Sequence, residues 1–338
     1  MSGTGRFVSA ALLVLFVSTS GWPAASFDPP EWAYPQTPRE FKPDPDDGKP
    51  KRLAGSTRSY TYTQIEDSFA PADWYPADHP LMPKVPVATG RKPDVRACSW
   101  CHLPNGLGHP QSGNLTGLQA EYMAQQLADF KSGARHASVG NSIMAIITRA
   151  MTAEEMKAAI GYYVKLPPKP WITVIETAMA PKTRIIEGGL RVPLEPEELE
   201  PLGQRIVEVP KFPARSRAYD SRAPFVAYVP MGAVRRGRAF VSSGGEVKRG
   251  TQILVPGKTP PCQQCHGVGF RGMAKAPDTD IAVPPLAGRS PTYIVRQLYD
   301  IQSGARYGKT TELMKPIAAQ LNLQEMIDIA AYMASRMP

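Results

Sequence analysis

Four cysteines occur in the chain, and all of them stand in two copies of one pentapeptide, Cys98-Ser99-Trp100-Cys101-His102 and Cys262-Gln263-Gln264-Cys265-His266. With two residues between them, a pair of thiols can reach the two vinyl groups of a porphyrin from a single turn of chain. The histidine that follows then lies under the iron. This is the attachment signal for covalent haem, in which two thioethers retain the ring and the imidazole becomes the proximal ligand. Two haems c are therefore expected, bound at Cys98, Cys101 and His102 and at Cys262, Cys265 and His266. A zinc site shared by the two pairs would need them much closer in sequence, and a redox dithiol would need a βαβ setting. Neither alternative uses the two histidines.

An iron with one imidazole needs a second axial group, and that group separates an electron carrier from an open catalytic centre. Cysteine is already committed to attachment. After His266 the chain contains no further histidine, so methionine is the natural ligand there, and Met314 lies in an irregular stretch between helices where a loop can present its sulfur. Met273 follows His266 too closely to cross to the other face. Met326, Met333 and Met337 belong to the last helix or its end and read as packing. Met144 stands seven residues before Met151, as Met314 stands seven before Leu321, which makes Met144 the equivalent in the first copy. His79, His109 and His136 stay open as alternative ligands for the first iron. The choice here is His102 with Met144 and His266 with Met314.

The elements that must position these groups are repeated. Leu115, Gly117, Tyr122, Gln126, Leu127, Ser132, Gly133, Ala134 and Arg135 recur as Leu286, Gly288, Tyr293, Gln297, Leu298, Ser303, Gly304, Ala305 and Arg306, all at an offset of 171 residues. In the second copy Ser290 and Pro291 open a helix whose stripe is Tyr293, Ile294, Leu298 and Ile301. The first-copy helix runs from about Leu118 to Gly133. A final helix follows in each, opened by Thr152 with Glu155 and by Asn322 with Glu325 as capping boxes. Met151 and Leu321 sit just before these caps and are expected to pack on Met156 and Met326.

Outside the repeats the composition changes. Residues 27–89 are rich in proline and aspartate, which argues for an extended arm pinned by Trp32, Tyr34, Trp74 and Tyr75. Residues 168–231 carry β-branched runs broken by prolines, which predicts short strands packed on or between the helical units. The N-terminus has Arg6, an apolar run at 7–17 and small residues at 24–26. That is the pattern of a signal peptide over 1–26, with an uncleaved membrane anchor as the alternative. Export agrees with covalent haem attachment and implies the periplasm. The formal net charge is +9. Bases crowd residues 205–249, either as a solvated surface or as a docking face for an acidic redox partner or an anionic membrane. Nothing points to nucleic acid.

Taken together, these motifs resemble the class I cytochromes c, and in particular their tandem-domain dihaem members of bacterial periplasms. The resemblance covers about 90–166 and 232–338. It implies a mainly α protein: domain 1 at 90–167, domain 2 at 232–338, the β-containing insert at 168–231 between them and the arm at 27–89. It further implies a helix before each haem motif that crosses the last helix through a glycine and an aromatic. The second copy has such a segment in Val234, Gly237 and Phe240, opposite Tyr332; the first does not, and the arm or the insert is expected to cover its edge. The family also sets a proline carbonyl behind the proximal imidazole, which Pro285 fits and Asn114 does not, so the two irons are expected to differ. Arg135 and Arg306 are read either as partners of haem propionates or as ordinary exposed side chains. The function implied is one-electron transfer between redox partners without catalysis. A dihaem peroxidase or oxidase with one open iron is the rival, and a subunit held permanently on a dehydrogenase or membrane complex is a variant of the first reading.

Overall fold

The computed structural model describes residues 27–338 apart from Asp44, so the expected signal peptide lies outside the described residues. Among the described residues no helix is long and apolar enough to cross a membrane.

The first helical unit contains α1 (Cys98–His102), α2 (Ala120–Ser132), α3 (Ile143–Ala150) and α4 (Ala153–Tyr163). α2 ends where Gly133 takes a left-handed conformation with φ 86°, returning its N–H to the Phe130 carbonyl. The capping box of α4 is formed: the Glu155 N–H donates to Thr152 Oγ1 at 3.2 Å, and the Thr152 N–H donates to Glu155 Oε2 at 2.8 Å. Met151 packs in one cluster with Met156, Ile147 and Val95. α3 departs from expectation, because the stretch holding Met144 is helical. The run Ile143-Met144-Ala145-Ile146-Ile147 has no proline to interrupt it, whereas its counterpart carries Pro316, which a helix tolerates only in its first turn.

Next comes the insert, with β1 (Ile172–Glu176), β2 (Val207–Pro210) and β3 (Phe225–Val229). β3 is central, parallel to β1 with Ile172 beside Phe225, and antiparallel to β2 with Val207 beside Tyr228. Two smaller antiparallel pairs join Met179–Pro181 to Leu199–Pro201 and Thr183–Ile185 to Arg191–Pro193. This sheet fastens both helical units. Phe225 and Trp171 pack with Leu107 of the first, while Val229 and Ile206 enter the core of the second. Trp171 Nε1 donates to the Gly288 carbonyl at 3.0 Å, and the buried Glu208 carboxyl accepts from Ser290 Oγ at 2.7 Å and Thr292 Oγ1 at 2.6 Å.

The second unit contains α5 (Ala233–Ser243), the hairpin β4 (Val247–Arg249) and β5 (Gln252–Val255), α6 (Gln263–His266), α7 (Pro291–Gln302), α8 (Lys315–Ala318) and α9 (Leu323–Ala334). α5 crosses α9 at Gly237, where any Cβ would overlap the Asp328 carbonyl. Arg236 secures the crossing with two hydrogen bonds of 2.8 Å to the Asp328 carboxylate. Tyr332 meets Phe270 edge-on at 6.0 Å. Leu321 lies beside Met326 in the same core, and Asn322 and Glu325 close their capping box.

Among the described residues no such crossing helix precedes α1, and the arm takes its place. Val87 is completely buried among Ala159, Tyr162 and Tyr163 of α4, a burial that contributes roughly 1.5 kcal/mol or more. Ser99 Oγ donates to the Val87 carbonyl at 2.7 Å, and the Ala97 N–H donates to the Ser68 carbonyl at 2.9 Å. Elsewhere the arm is tied down by its aromatics. Tyr34 Oη donates to Asp300 at 2.7 Å, Trp74 Nε1 to the Ala218 carbonyl at 2.7 Å, and Arg222 lies 3.8 Å over the Tyr75 ring. Within the basic stretch 205–249 ion pairs join Arg205 with Glu200, Arg215 with Asp220, Arg222 with Asp78, Arg236 with Asp328 and Lys248 with Glu246. Lys211, Arg235, Arg238 and Arg249 are exposed.

Candidate haem sites

Both pentapeptides form a short helix that presents its histidine inward. In each, the chain then turns away through a positive φ, at Leu103 (59°) and at Gly267 (75°). The four cysteines are free thiols, half-buried, and burial pushes Cys98 up to about 12 and Cys101 and Cys262 up to about 11. Burial thus favours the neutral thiol at Cys98, Cys101 and Cys262. His102 and His266 are buried, and desolvation lowers the proton affinity of both rings. His102 Nδ1 sits 2.7 Å from the Gly113 carbonyl and His266 Nδ1 sits 2.9 Å from the Pro284 carbonyl. Those contacts fix the tautomer with the proton on Nδ1 and leave Nε2 available to a metal.

The acceptors differ from the sequence expectation by one residue, being Gly113 and Pro284 rather than Asn114 and Pro285. They are equivalent under the 171-residue offset, so both halves keep this bond. A backbone carbonyl serves whatever side chain it carries, which is why a missing proline did not remove it.

One cavity of about 1020 Å³ runs through both halves, and its lining includes Cys98, Cys101, His102 and Met144 as well as Cys262, Cys265, His266 and Met314. Met123 and Met151 also border it, whereas Met273, Met326, Met333 and Met337 do not. His109 and His136 line the cavity. His79 lies outside it, with Nε2 3.2 Å from Asp73 and Nδ1 2.9 Å from the Pro80 carbonyl. Among the described residues no three His, Cys, Asp or Glu side chains gather as a zinc site would need.

The boundary between the halves supplies the charge of the site. Arg135, Arg289, Arg296 and Arg306 are all buried and all face the cavity. Arg135 donates to Gln126 Oε1, Tyr293 Oη and Gln297 Oε1 at 2.7, 2.9 and 2.8 Å. Reciprocally, Arg306 donates to Gln297 Oε1, Tyr122 Oη and Gln126 Oε1 at 3.0, 2.7 and 2.8 Å. These acceptors are formally neutral, and Arg306 Nε is buried without a partner. Buried cations surrounded by neutral acceptors call for an anion in the cavity, and haem propionates meet that demand. Arg135 and Arg306 are thus not the exposed arginines that one of the two sequence readings allowed. Arg289 and Arg296 were missed; an arginine inside the helix that carries the apolar stripe, α7, was the available signal for Arg296, whereas Arg289 precedes that helix and had none.

The donor set, cavity and cationic lining fit covalently attached haem. The cytochrome c family model matches residues 254–336. Cytochrome c-554(548) of Halomonas halodenitrificans is 33% identical over 95 residues, which span 28% of this chain and 95% of that protein. The chain belongs to the cytochrome c family. As a cytochrome c it carries haem c and transfers electrons. Longer matches are to the protein named thiosulfate dehydrogenase electron acceptor, from two organisms. That of Stutzerimonas stutzeri is 25% identical over 254 residues, covering 75% of this cytochrome and 84% of the relative. That of Thiomonas intermedia is 23% identical over 246 residues, covering 72% and 80%.

Proposed function

We propose that this cytochrome is a periplasmic dihaem carrier with one haem c in each half, and that it accepts electrons from a dehydrogenase of the thiosulfate-oxidising type. The observation that carries the reading is the equivalence of His102 and His266. Each projects from its own Cys-x-x-Cys-His turn, is tied by Nδ1 to an equivalent carbonyl, and faces a continuous cavity. Bound haem would supply the one-electron redox couple. Cys98 and Cys101, and Cys262 and Cys265, would retain the two rings through thioethers. His102 with Met144 and His266 with Met314 would hold the irons, each pair supplying an imidazole and a thioether. The buried arginines at the boundary between the halves would compensate the propionates. The domain division at 90–167 and 232–338 follows from this two-site reading. Support for the partner comes from the relatives' name, and Arg235, Arg238 and Arg249 suit a partner with an acidic docking face.

Stopped-flow mixing of the ferric protein with a thiosulfate dehydrogenase and thiosulfate tests the reading. Reduction of both haems, with low-spin ferric spectra beforehand, is the expected result. A high-spin ferric site at neutral pH would instead favour the enzyme reading. Reduction by dithionite but not by the dehydrogenase would remove this partner.

A further inference from the structure

The two proximal imidazoles are backed by chain segments of opposite stiffness. Behind His266 the acceptor belongs to Pro284 and is followed by Pro285, so two pyrrolidine rings fix the backbone φ on either side of that peptide. Behind His102 the equivalent residues are Gly113 and Asn114, a pair with wide conformational freedom. Proline rigidity is therefore missing from the first site, yet the Gly113 carbonyl still lies 2.7 Å from His102 Nδ1.

Within its own half the turn is held by the Leu115 N–H, which donates to the Gly106 carbonyl at 2.8 Å, and by Ser112 Oγ, which donates to the Cys101 carbonyl at 2.6 Å; the charged contact comes from the other half of the molecule. Arg289 donates through one terminal nitrogen to the Asn114 carbonyl and through the other to the Thr116 carbonyl, the latter at 2.6 Å. Asn114 Oδ1 in turn accepts from the Thr116 N–H at 2.9 Å and Thr116 Oγ1 at 2.8 Å. Gly113 lies under the ring of Tyr293, where a Cβ would stand 3.3 Å from the tyrosine oxygen. Arg289 is 6% exposed, and burial lowers its pKa to about 10, so it remains charged at pH 7. Position 118, its counterpart in the first half, is leucine. The second site receives an uncharged contact instead: from the first half, Gln119 Nε2 donates to the Val283 and Met273 carbonyls beside Pro284, at 3.1 and 3.2 Å, and among the described residues no guanidinium does so.

We propose that Arg289 is a positioning residue for the first haem: its guanidinium fork fixes the turn at 113–116 from across the boundary, and through Gly113 it sets the plane of the His102 imidazole. The proposal rests on the two-haem reading above. A fork is required because two carbonyls must be held at once, which a single ammonium does less well.

Electron paramagnetic resonance of the ferric protein tests this, since the largest g value reports axial ligand orientation at each iron separately. Arg289→Leu is expected to shift or broaden the first-haem signal and leave the second unchanged. Arg289→Lys should do the same to a smaller extent, and it serves if the leucine variant fails to fold. Because the Asn114 N–H makes no backbone hydrogen bond among the described residues, Asn114→Pro can restore local stiffness. Adding it to Arg289→Leu should return the first signal toward that of the native protein. An unchanged first signal in both single variants, or equal shifts at both irons, would overturn the proposal. Absence of two low-spin signals in the native protein would instead overturn the two-haem reading itself.

Discussion

Arg135 and Arg306 lie side by side as an antiparallel bridge at the boundary of the two halves. The flanking hydrogen bonds are reciprocal: the His136 N–H donates to the Ala305 carbonyl and the Tyr307 N–H to the Ala134 carbonyl, both at 2.9 Å. Each bond maps onto the other under the 171-residue offset, as do the arginine contacts with Gln126, Gln297, Tyr122 and Tyr293. The sequence repeat is thus also a local two-fold relationship, with its centre between the two arginines.

Removing one guanidinium from this centre leaves Tyr122 Oη without its donor and unbalances the buried charge. Arg306→Leu is predicted to cost about 3 kcal/mol in denaturant unfolding of the haem-loaded protein. It should also lower the reduction potentials of both haems, because a nearby buried cation favours the electron-rich state. A stability loss below about 0.5 kcal/mol with unmoved potentials would contradict this account of the boundary.

The crossing of α5 and α9 depends on a position without a side chain. Gly237→Ala forces the helices apart at the Asp328 carbonyl and strains the Arg236–Asp328 pair. We predict a loss of about 3 kcal/mol, read as a fall in the unfolding midpoint. A neutral effect would mean that the helices shift apart without penalty.

Arg91 donates through Nε and one terminal nitrogen to the Glu155 carboxylate, at 2.8 and 3.0 Å, beside the cap of α4. The hydrogen bond from Arg91 holds the Glu155 carboxyl below its ordinary value of 4.5. A carboxyl depressed by folding contributes stability above its unfolded pKa and loses it as pH falls through the folded value. Arg91 is substantially exposed, so solvent screening keeps the contribution small. Glu155→Gln should therefore be less stable than the native protein at pH 7, with the deficit shrinking as pH falls below 4.5 and the carboxyl takes up its proton, by thermal unfolding across that range. An equal deficit throughout would assign the effect to the cap hydrogen bonds alone.

Much of this architecture was readable because its signals are local. The two Cys-x-x-Cys-His turns, the capping boxes at Thr152 and Asn322, and the small residue at Gly237 opposite Tyr332 each announce themselves within a few positions. The carbonyls behind His102 and His266 were misplaced by one residue, since a backbone acceptor leaves no mark in side-chain identity. Met144 was expected in a loop like Met314, but only the second copy carries the proline that shortens its helix. Arg135 and Arg306 were ambiguous when each half was read alone, because their partners lie on the other half. Proline content indicated an extended arm, but it gave no sign that Val87 would fill the place of a missing helix.

The central claim is that Met144 and Met314 close the two iron sites opposite His102 and His266. A spectroscopic redox titration of the native protein beside Met144→Ala and Met314→Ala tests it most directly. Each substitution is predicted to abolish the sulfur-to-iron charge-transfer band and lower the potential of its own haem, while the other haem titrates as before. A first haem unaltered by Met144→Ala, or a second unaltered by Met314→Ala, would contradict the claim.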